Sequence, residues 1–555
     1  MKQTPPRDKL LTRWGQLQTE RATWYPHWKE LSDYLLPRSG RYFIQDRNRG
    51  QRRHNYIYDN TGTRALRVLA AGLMSGLTSP ARPWFRLATA DPAMMESQEV
   101  KQWLNEVTNI MLTVFQKSNT YRALHAMYEE LGTFGTASCL VMPDFDNVIH
   151  LFPLTIGEYA IATNWKGEVT TLYREFQKTV HEVVEEFGID KVMPSTRSMY
   201  ERGSLDQWIT IIHAIEPRAD RDPNKKDDLN MPWRSVYFEV GSNPNTYLRE
   251  SGFNRFPAVC PRWATSGGDI YGNSPGMEAL GDIKQLQHEQ LRKAQGIDYK
   301  TNPPLQVPTS MKNSDVERLP GGVTYVDVAG GSQGVKTAFE VNLDLSHLLA
   351  DIQDVRHRIE GSFYADLFLM LANQSDARMT ATEVAERHEE KLLMLGPVLE
   401  RLQNELLDPL IEITFDQIMA AGIVPPPPEA MQGHDINVEL VSMLAQAQKA
   451  VGTNSIDRFI GTIGSVAQFK PEVLDKIDGD KLTDIYSDSL GVDPRILLGD
   501  DKVAALRQQR AQAQQQATQA AMMNQGADTA QKLASAKTTD PSLLTDATAA
   551  FSGYT

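Results

Sequence analysis

The strongest constraint on this chain lies between residues 274 and 421, where three helical patterns of unusual length follow one another. Ser274 and Pro275 make an N-cap and first-turn pair. Behind them Leu280, Ile283, Leu286, Leu291, Ala294 and Ile297 fall on one side of a helix. From residue 278 to 297 that helix is about 30 Å long. Residues 298–342 interrupt it with Pro303, Pro304, Pro308, Gly321, Gly322, Gly330, Gly331 and Gly334, leaving short strand-like runs such as GVTYVDV. Leu345, Leu348, Ile352, Val355, Ile359, Phe363 and Leu367 then predict a second helix over 343–372, about 45 Å if continuous. After the polar break NQSDARM, residues 373–379, Thr380 and Glu383 form a capping box. They open a helix carrying Leu392, Leu395, Leu399, Leu402, Leu406 and Leu410 that is expected to reach residue 421, roughly 60 Å away. Pro397 and Pro409 each remove an intrahelical bond and are expected to bend it. Helices of this length, with one β-rich excursion between the first two, describe a strut rather than a compact catalytic domain.

The flanking regions read differently. Leu10, Leu11, Trp14, Leu17, Trp24, Trp28, Leu31 and Leu35 recur at helical spacing, interrupted at Pro26 and ended at Pro37. Residues 37–53 form a loop with six arginines (Arg38, Arg41, Arg47, Arg49, Arg52 and Arg53) and one acid. Residues 61–77 predict a helix rich in small residues and closely packed; Trp103, Leu104, Val107, Ile110, Met111, Val114 and Phe115 mark the apolar face of another. From about 137 to 263 the runs CLVMPDF, VIHLFPL, EYAIATN, EVTTLYREF, QWITIIHAI and RSVYFEV read as strands of a mostly antiparallel sheet. One helix interrupts them, opened by a Thr179/Glu182 capping box and closed at Gly188. Four prolines, 425–428, mark a boundary, after which shorter helices are expected over 442–451 and 470–477 and after Asp493-Pro494. Residues 511–555 begin Ala/Gln-rich and, past Asn524, have few large apolar side chains, so a flexible tail is expected. The fold class is α+β, predominantly helical.

Charge narrows the function. The total is −13, but residues 1–53 carry a surplus of seven cations and residues 501–555 a surplus of one, leaving −21 on residues 54–500. A body this acidic is poorly suited to gripping nucleic acid over a broad face; it repels polyanions and suits a surface they slide past. Two cysteines, Cys139 and Cys260, exclude a zinc cluster and a disulfide framework. No run approaches the roughly 20 apolar residues of a membrane span, and the start MKQTPPRDK has no apolar leader core. A soluble chain made inside a cell is expected.

No catalytic, cofactor or metal motif stands out. Glycine clusters, including Gly330 to Lys336, lack phosphate-loop spacing, and neither HExxH nor GxSxG occurs. His288-Glu289 and His388-Glu389-Glu390 lack a second histidine one turn on and read as solvated faces. His213, alternating with Ile209, Ile211 and Ile215, reads as a packed, hydrogen-bonded core histidine. Asp475, Asp478, Asp480 and Asp484 lack the glycine position and closing glutamate of a calcium loop. The arginine loop is open to three readings: a contact between subunits, a contact with nucleic acid phosphates, or a solvated face. The leucine helix, through Leu392, Leu395, Leu399, Leu402 and Leu406, has the spacing of a core or coiled-coil helix, and its functional use would be as a rod packed within an oligomer.

In this order of parts the sequence resembles the portal, or head-to-tail connector, proteins of short-tailed, podovirus-type bacteriophages. The resemblance rests on MTATEVAERHEEKLLMLGPVLERLQNELLDPLIE (379–412), IYGNSPGMEALGDIKQLQ (270–287) and RNRGQRRHNYIYDNTGTRALRVLAAGLMSGLTSPARPWFRL near the amino terminus. It implies a ring, typically of twelve copies, at one capsid vertex of the virion, built in the host cytoplasm around a channel for double-stranded DNA. Residues 1–269 would belong to the wing, 270–300 and 343–372 to the stem and 301–342 to the clip. Residues 373–379 would be the channel loop, with Asn373, Gln374, Ser375, Asp376 and Arg378 near DNA. Residues 380–424 would be a long kinked wing helix and 425–510 the crown. Implied partners are further copies of the chain, major capsid and scaffolding proteins, terminase, then tail or adaptor proteins, and DNA read without sequence specificity; no membrane, cofactor or enzymatic activity is implied. Two other readings are a different head–tail oligomer, such as an adaptor or scaffold, and a metal-dependent nuclease.

Overall fold

The computed structural model describes residues 7–42, 53–89, 91, 94, 97–225, 227–241, 247–307, 312, 335–337, 346–372, 395–431, 436–441, 460–465, 469–470, 478–479, 481–483 and 500–535. The chain opens with α1 (Arg7–Ala22), α2 (Tyr25–Tyr34), α3 (Thr61–Leu77), β1 (Phe85–Thr89), α4 (Gln98–Lys117) and α5 (Thr120–Phe134). The strand region follows: β2 (Ser138–Asp144), β3 (Val148–Leu154), β4 (Tyr159–Thr163) and β5 (Val169–Thr179), then α6 (Val180–Phe187), α7 (Pro194–Glu201), β6 (Trp208–Pro217), β7 (Trp233–Glu239), β8 (Arg249–Phe253) and β9 (Ala258–Val259). Each predicted strand run in this region is a strand, and the Thr179/Glu182 capping box is made in both directions.

The strands sort into an antiparallel sheet ordered β4-β5-β6-β7-β8 and a smaller one ordered β3-β2-β9. Both faces of the larger sheet are covered. Leu10, Trp14 and Leu17 of α1 pack on Ala160, Tyr173, Ile212 and Phe238, while Val183 and Phe187 of α6 pack with Ile211 and Tyr237 on the other side. His213 sits in this sheet, fully buried, with Nε2 on the Ser235 hydroxyl at 2.8 Å and Nδ1 accepting from Arg174. The sequence reading of a packed histidine holds.

The largest core gathers α2 to α5, the smaller sheet and the long helices. Those are α8 (Pro275–Thr301), then the short pair β10 (Leu305–Gln306) and β11 (Lys336–Thr337), then α9 (Ser346–Ser362) and α10 (Ala365–Ala372). The small residues of α3 are explained by close approach: a Cβ on Gly72 would lie 2.2 Å from the Phe368 ring of α10. The second long helix is not continuous as the periodicity suggested. It breaks at Phe363 and Tyr364, where Tyr364 adopts a left-handed φ of 54°, a conformation that side chains other than Gly and Asn disfavour. The apolar spacing runs through the break because Phe363 and Leu367 are both buried.

Residues 395–402 are helical, Gln403–Leu407 form a wider π turn, and α11 (Asp408–Ala420) completes the rod. Pro409 has no N–H to give to the preceding turn, and the turn widens just before it, with Asp408 N–H bonded to Gln403 O. The helix adjusts by one wider turn at this proline. Beyond the prolines, β12 (Ile436–Leu440) returns to pair antiparallel with β1, a strand the sequence reading passed over. Finally α12 (Asp500–Ser535) is one helix of 36 residues. The Ala/Gln-rich stretch 508–523, expected as the tail of the helix after Asp493-Pro494, lies within it, and the helix runs past Asn524 to residue 535: high Ala and Gln content favours helix even without an apolar face.

Of the expected clip, residues 308–311, 313–334 and 338–342 lie outside the described residues, as do the expected channel loop, the Thr380/Glu383 box, Leu392, Arg47, Arg49, Arg52, the helices expected over 442–451 and 471–477, and the start, 493–499, of the helix expected after Asp493-Pro494.

Candidate functional site

The helix pair α8 and α9 is fixed at its inner end and bare at its outer end. Ser274 caps α8 by accepting from Met277 N–H while its hydroxyl donates to Thr133 O on α5, so the cap also anchors the helix to the core. Ala279, Ile283 and Leu286 of α8 and Ile352, Val355 and Ile359 of α9 are buried. Farther out the same stripes run onto the surface, with Ile297 40%, Tyr299 49% and Leu349 42% exposed. The apolar pattern continues where the described residues leave it uncovered.

A buried polar joint holds the pair to the body. Asp59 precedes α3, and its Oδ1 accepts from Thr61 N–H at 2.9 Å and the Thr61 hydroxyl at 2.6 Å. Its Oδ2 accepts from Gln290 of α8 at 2.9 Å and from Arg356 of α9 at 2.7 Å. Gln287 of α8 grips the backbone there, accepting from Tyr58 and Asp59 N–H and donating to Asp59 O. Burial alone would raise the Asp59 pKa, but the hydrogen bonds from Thr61 and Arg356 outweigh it and hold the carboxyl below its usual range.

The start of the arginine loop is tied down by a second buried carboxyl. Glu130 of α5 accepts from the Thr155 hydroxyl at 2.8 Å and Ile156 N–H at 3.1 Å. The Thr155 oxygen in turn accepts from Gly40 N–H, and Arg41 N–H bonds Ile156 O. Gly157, at φ 88°, is required here, since a Cβ would lie 1.9 Å from Arg41 O. Burial pushes the Glu130 pKa to about 7 against its hydrogen bonds. Of the loop arginines, Arg38 is exposed, Arg41 faces Glu158 at 3.6 Å, and Arg53 is half-buried. Asn373, Gln374, Ser375, Asp376 and Arg378 are not among the described residues.

Leu395, Leu399, Leu402 and Leu406 of the leucine helix are buried in the chain's own core, the plainer of the two readings its spacing allowed. The polar side of the rod is paired with the segments on either side of β9: Arg262, buried, makes two hydrogen bonds to Glu405 through its guanidinium, and Arg255 bridges Glu412 and Asp416. An open cleft with Trp165 and Trp233 on its wall lies beside these pairs.

Sequence reasoning missed Asp59, Glu130, Gln287 and the Arg262–Glu405 pair. Only Asp59 carried a local signal, as an acid two residues before a helix-opening threonine; the others depend on contacts more than 20 residues away. Among the described residues no group of three or more His, Cys, Asp or Glu side chains is placed to hold a metal ion, and no helix is long and apolar enough to cross a membrane.

A family model described as bacteriophage head to tail connecting protein matches residues 7–497. The chain is 66% identical over 555 residues to a probable portal protein of Bordetella phage BPP-1, covering all of both chains. It is 47% identical over 540 residues to the portal protein of Salmonella phage epsilon15, covering 97% of each. Among solved structures, a chain in the neck of a native gene transfer agent particle computed with C12 symmetry is similar at a TM-score of 0.36 and 11% identity, over 76% of this chain and 91% of that one.

Proposed function

The chain belongs to the bacteriophage head-to-tail connecting protein family and shares its portal role, and from that premise we propose that it acts as one copy of a closed ring, typically of twelve, at a single capsid vertex. Double-stranded DNA passes through the centre during packaging and ejection. The role is structural: the ring positions DNA, and terminase supplies the work.

In this reading α8 and α9 are the stem, residues 301–342 the clip that meets terminase and later the tail or adaptor proteins, and residues 373–379 the channel loop. Residues 1–269 form the wing toward major capsid and scaffolding proteins, together with the kinked helix of 380–424, and residues 425–510 the crown. The acidic body suits a conduit, because like charge keeps phosphate from binding along the wall. The observation that carries the reading is the bare outer half of the helix pair, whose apolar stripe is the complement a neighbouring copy's helices need.

Replacing both Ile297 and Leu349 with Asp places charge on that stripe without touching the core. Rings are expected to be lost while the subunit unfolds at an unchanged denaturant midpoint. Rings of normal size and stability in this variant would refute the stem assignment.

A further inference from the structure

The helix pair has two flanks of different charge. On α9 the buried stripe of Ile352, Val355 and Ile359 separates Asp351, Asp354 and Arg358 on one side from Gln353, Arg356 and His357 on the other, by the 100° turn per residue of a helix. On the first side α8 adds Asp282 and Glu289, with Lys293 one turn beyond Glu289, so four acids meet two cations; Arg358 lies 3.6 Å from Asp282 and 3.5 Å from Asp354. On the second side Arg356 is already held by Asp59, and the cleft there is lined by Arg64 of α3. Arg64 and Arg67, one turn apart on exposed positions of α3, have no hydrogen-bond or ion-pair partner within the described chain.

The acidic flank also contains an unmet demand. Glu289 is 9% exposed. Its Oε1 accepts from Gln285, its Oε2 is buried without an N–H donor, and the carboxyl shares a hydrogen bond with Asp351. It faces the Asp351 carboxyl, which together with burial raises its pKa, while Arg358 offsets part of the effect. Two carboxyls that share a hydrogen bond must hold a proton between them, and a cation brought from outside the chain would let both ionise.

Resting on the ring reading above, we infer that the acidic flank of one copy's stem, centred on Glu289 and Asp351, receives Arg64 and Arg67 of the next copy around the ring. A rotation about one axis brings opposite flanks together at equal height. Height matches: Glu289 is adjacent in α8 to Gln290, which lines the Arg64 cleft, and Asp354 is adjacent in α9 to Gln353, which lines it too. Arginine is suited to this contact because its planar fork can bridge two carboxylates. The partner is a second copy of this chain, and the interface is heterologous, which makes the ring directional.

Charge swaps in the full-length chain test the pairing. One variant carries Asp351→Lys and Asp354→Lys, the other Arg64→Glu and Arg67→Glu. Each alone is expected to remain a folded subunit by circular dichroism and to lose rings in native mass measurement and electron micrographs. An equimolar mixture is expected to regain rings, since in an alternating ring every junction is again opposite in charge. Rings from either variant alone, or no rings from a mixture of two folded variants, would overturn the pairing. Should a swapped chain not fold, Asp351→Asn and Arg64→Gln are read instead by the salt concentration at which rings dissociate; it should fall for both, and an unchanged value overturns the pairing. Dissociation of wild-type rings by a chelator, with both swaps silent, would assign the flank to a divalent cation instead. A wild-type chain that forms no ring even with its capsid and scaffolding proteins would remove the ring reading itself.

Discussion

At the scale of single residues, two buried carboxyls do opposite things with pH. Asp59 is held ionised by Thr61 and Arg356, so its contribution is present above the ordinary aspartate pKa and is lost as pH falls through its depressed folded value. Asp59→Ala removes hydrogen bonds to a charged guanidinium and to the α3 amino end, and should cost about 2–3 kcal/mol at neutral pH. Urea unfolding at pH 7 measures it; a loss within about 0.5 kcal/mol, the ordinary surface range, would show that the joint carries little. Glu130 is the reverse case. Its folded pKa is raised to about 7, so its contribution is complete below the ordinary glutamate value and is lost as pH rises through about 7. Glu130→Gln should therefore flatten the decline in stability between pH 5 and 8, a decline of up to about 3 kcal/mol in the parent. Parallel pH profiles for parent and variant would contradict this. Both carboxyls hold the segments that bracket the arginine loop, one at Gly40–Arg41 and one at Tyr58–Asp59.

At the scale of elements, what was legible in the sequence was whatever depended on local pattern. The caps at Ser274 and Thr179, the small-residue helix α3 and the alternating strands all follow from spacing and capping chemistry within a few residues. What was not legible depended on partners far along the chain. β12 pairs with β1 across some 350 residues, held by Arg86 and Glu439 at 2.7 Å; its five residues, INVEL, do alternate, but nothing local says which strand they meet. The break at Tyr364 is hidden because helical apolar spacing passes through it without a Pro or Gly at that position. The leucines of the rod have the same spacing whether they pack in a core or between copies, and only the structure distinguishes the two. Leu399→Asp with Leu402→Asp should accordingly abolish the cooperative unfolding of the subunit itself, because each change buries an unpaired charge. A folded, soluble monomer that merely fails to assemble would return these leucines to the interface. The helix α12 contrasts with the rod: its side chains from Ala504 to Ala520 are exposed. A helix without packing is marginal in water, so its amides should exchange with deuterium far faster than those of α5. Truncation after residue 499 should leave rings intact; loss of rings would make α12 part of the assembly.

The whole molecule combines an acidic body, a helix pair with an exposed apolar outer end and membership of a family whose named relatives are phage portal proteins. In the proposed ring a neighbouring copy covers the exposed apolar stripe and brings a cation to the Glu289–Asp351 pair. Closing the ring covers them in every copy at once, whereas an open chain leaves one end exposed, which favours closure. The central claim is that assembly, and the most direct measurement is the native mass of the purified full-length chain together with its electron-microscope image. The account predicts a ring with a central hole and a mass near 750 kDa, about twelve times 62.2 kDa. A compact dimer or tetramer without a hole, unchanged when capsid and scaffolding proteins are added, would contradict it.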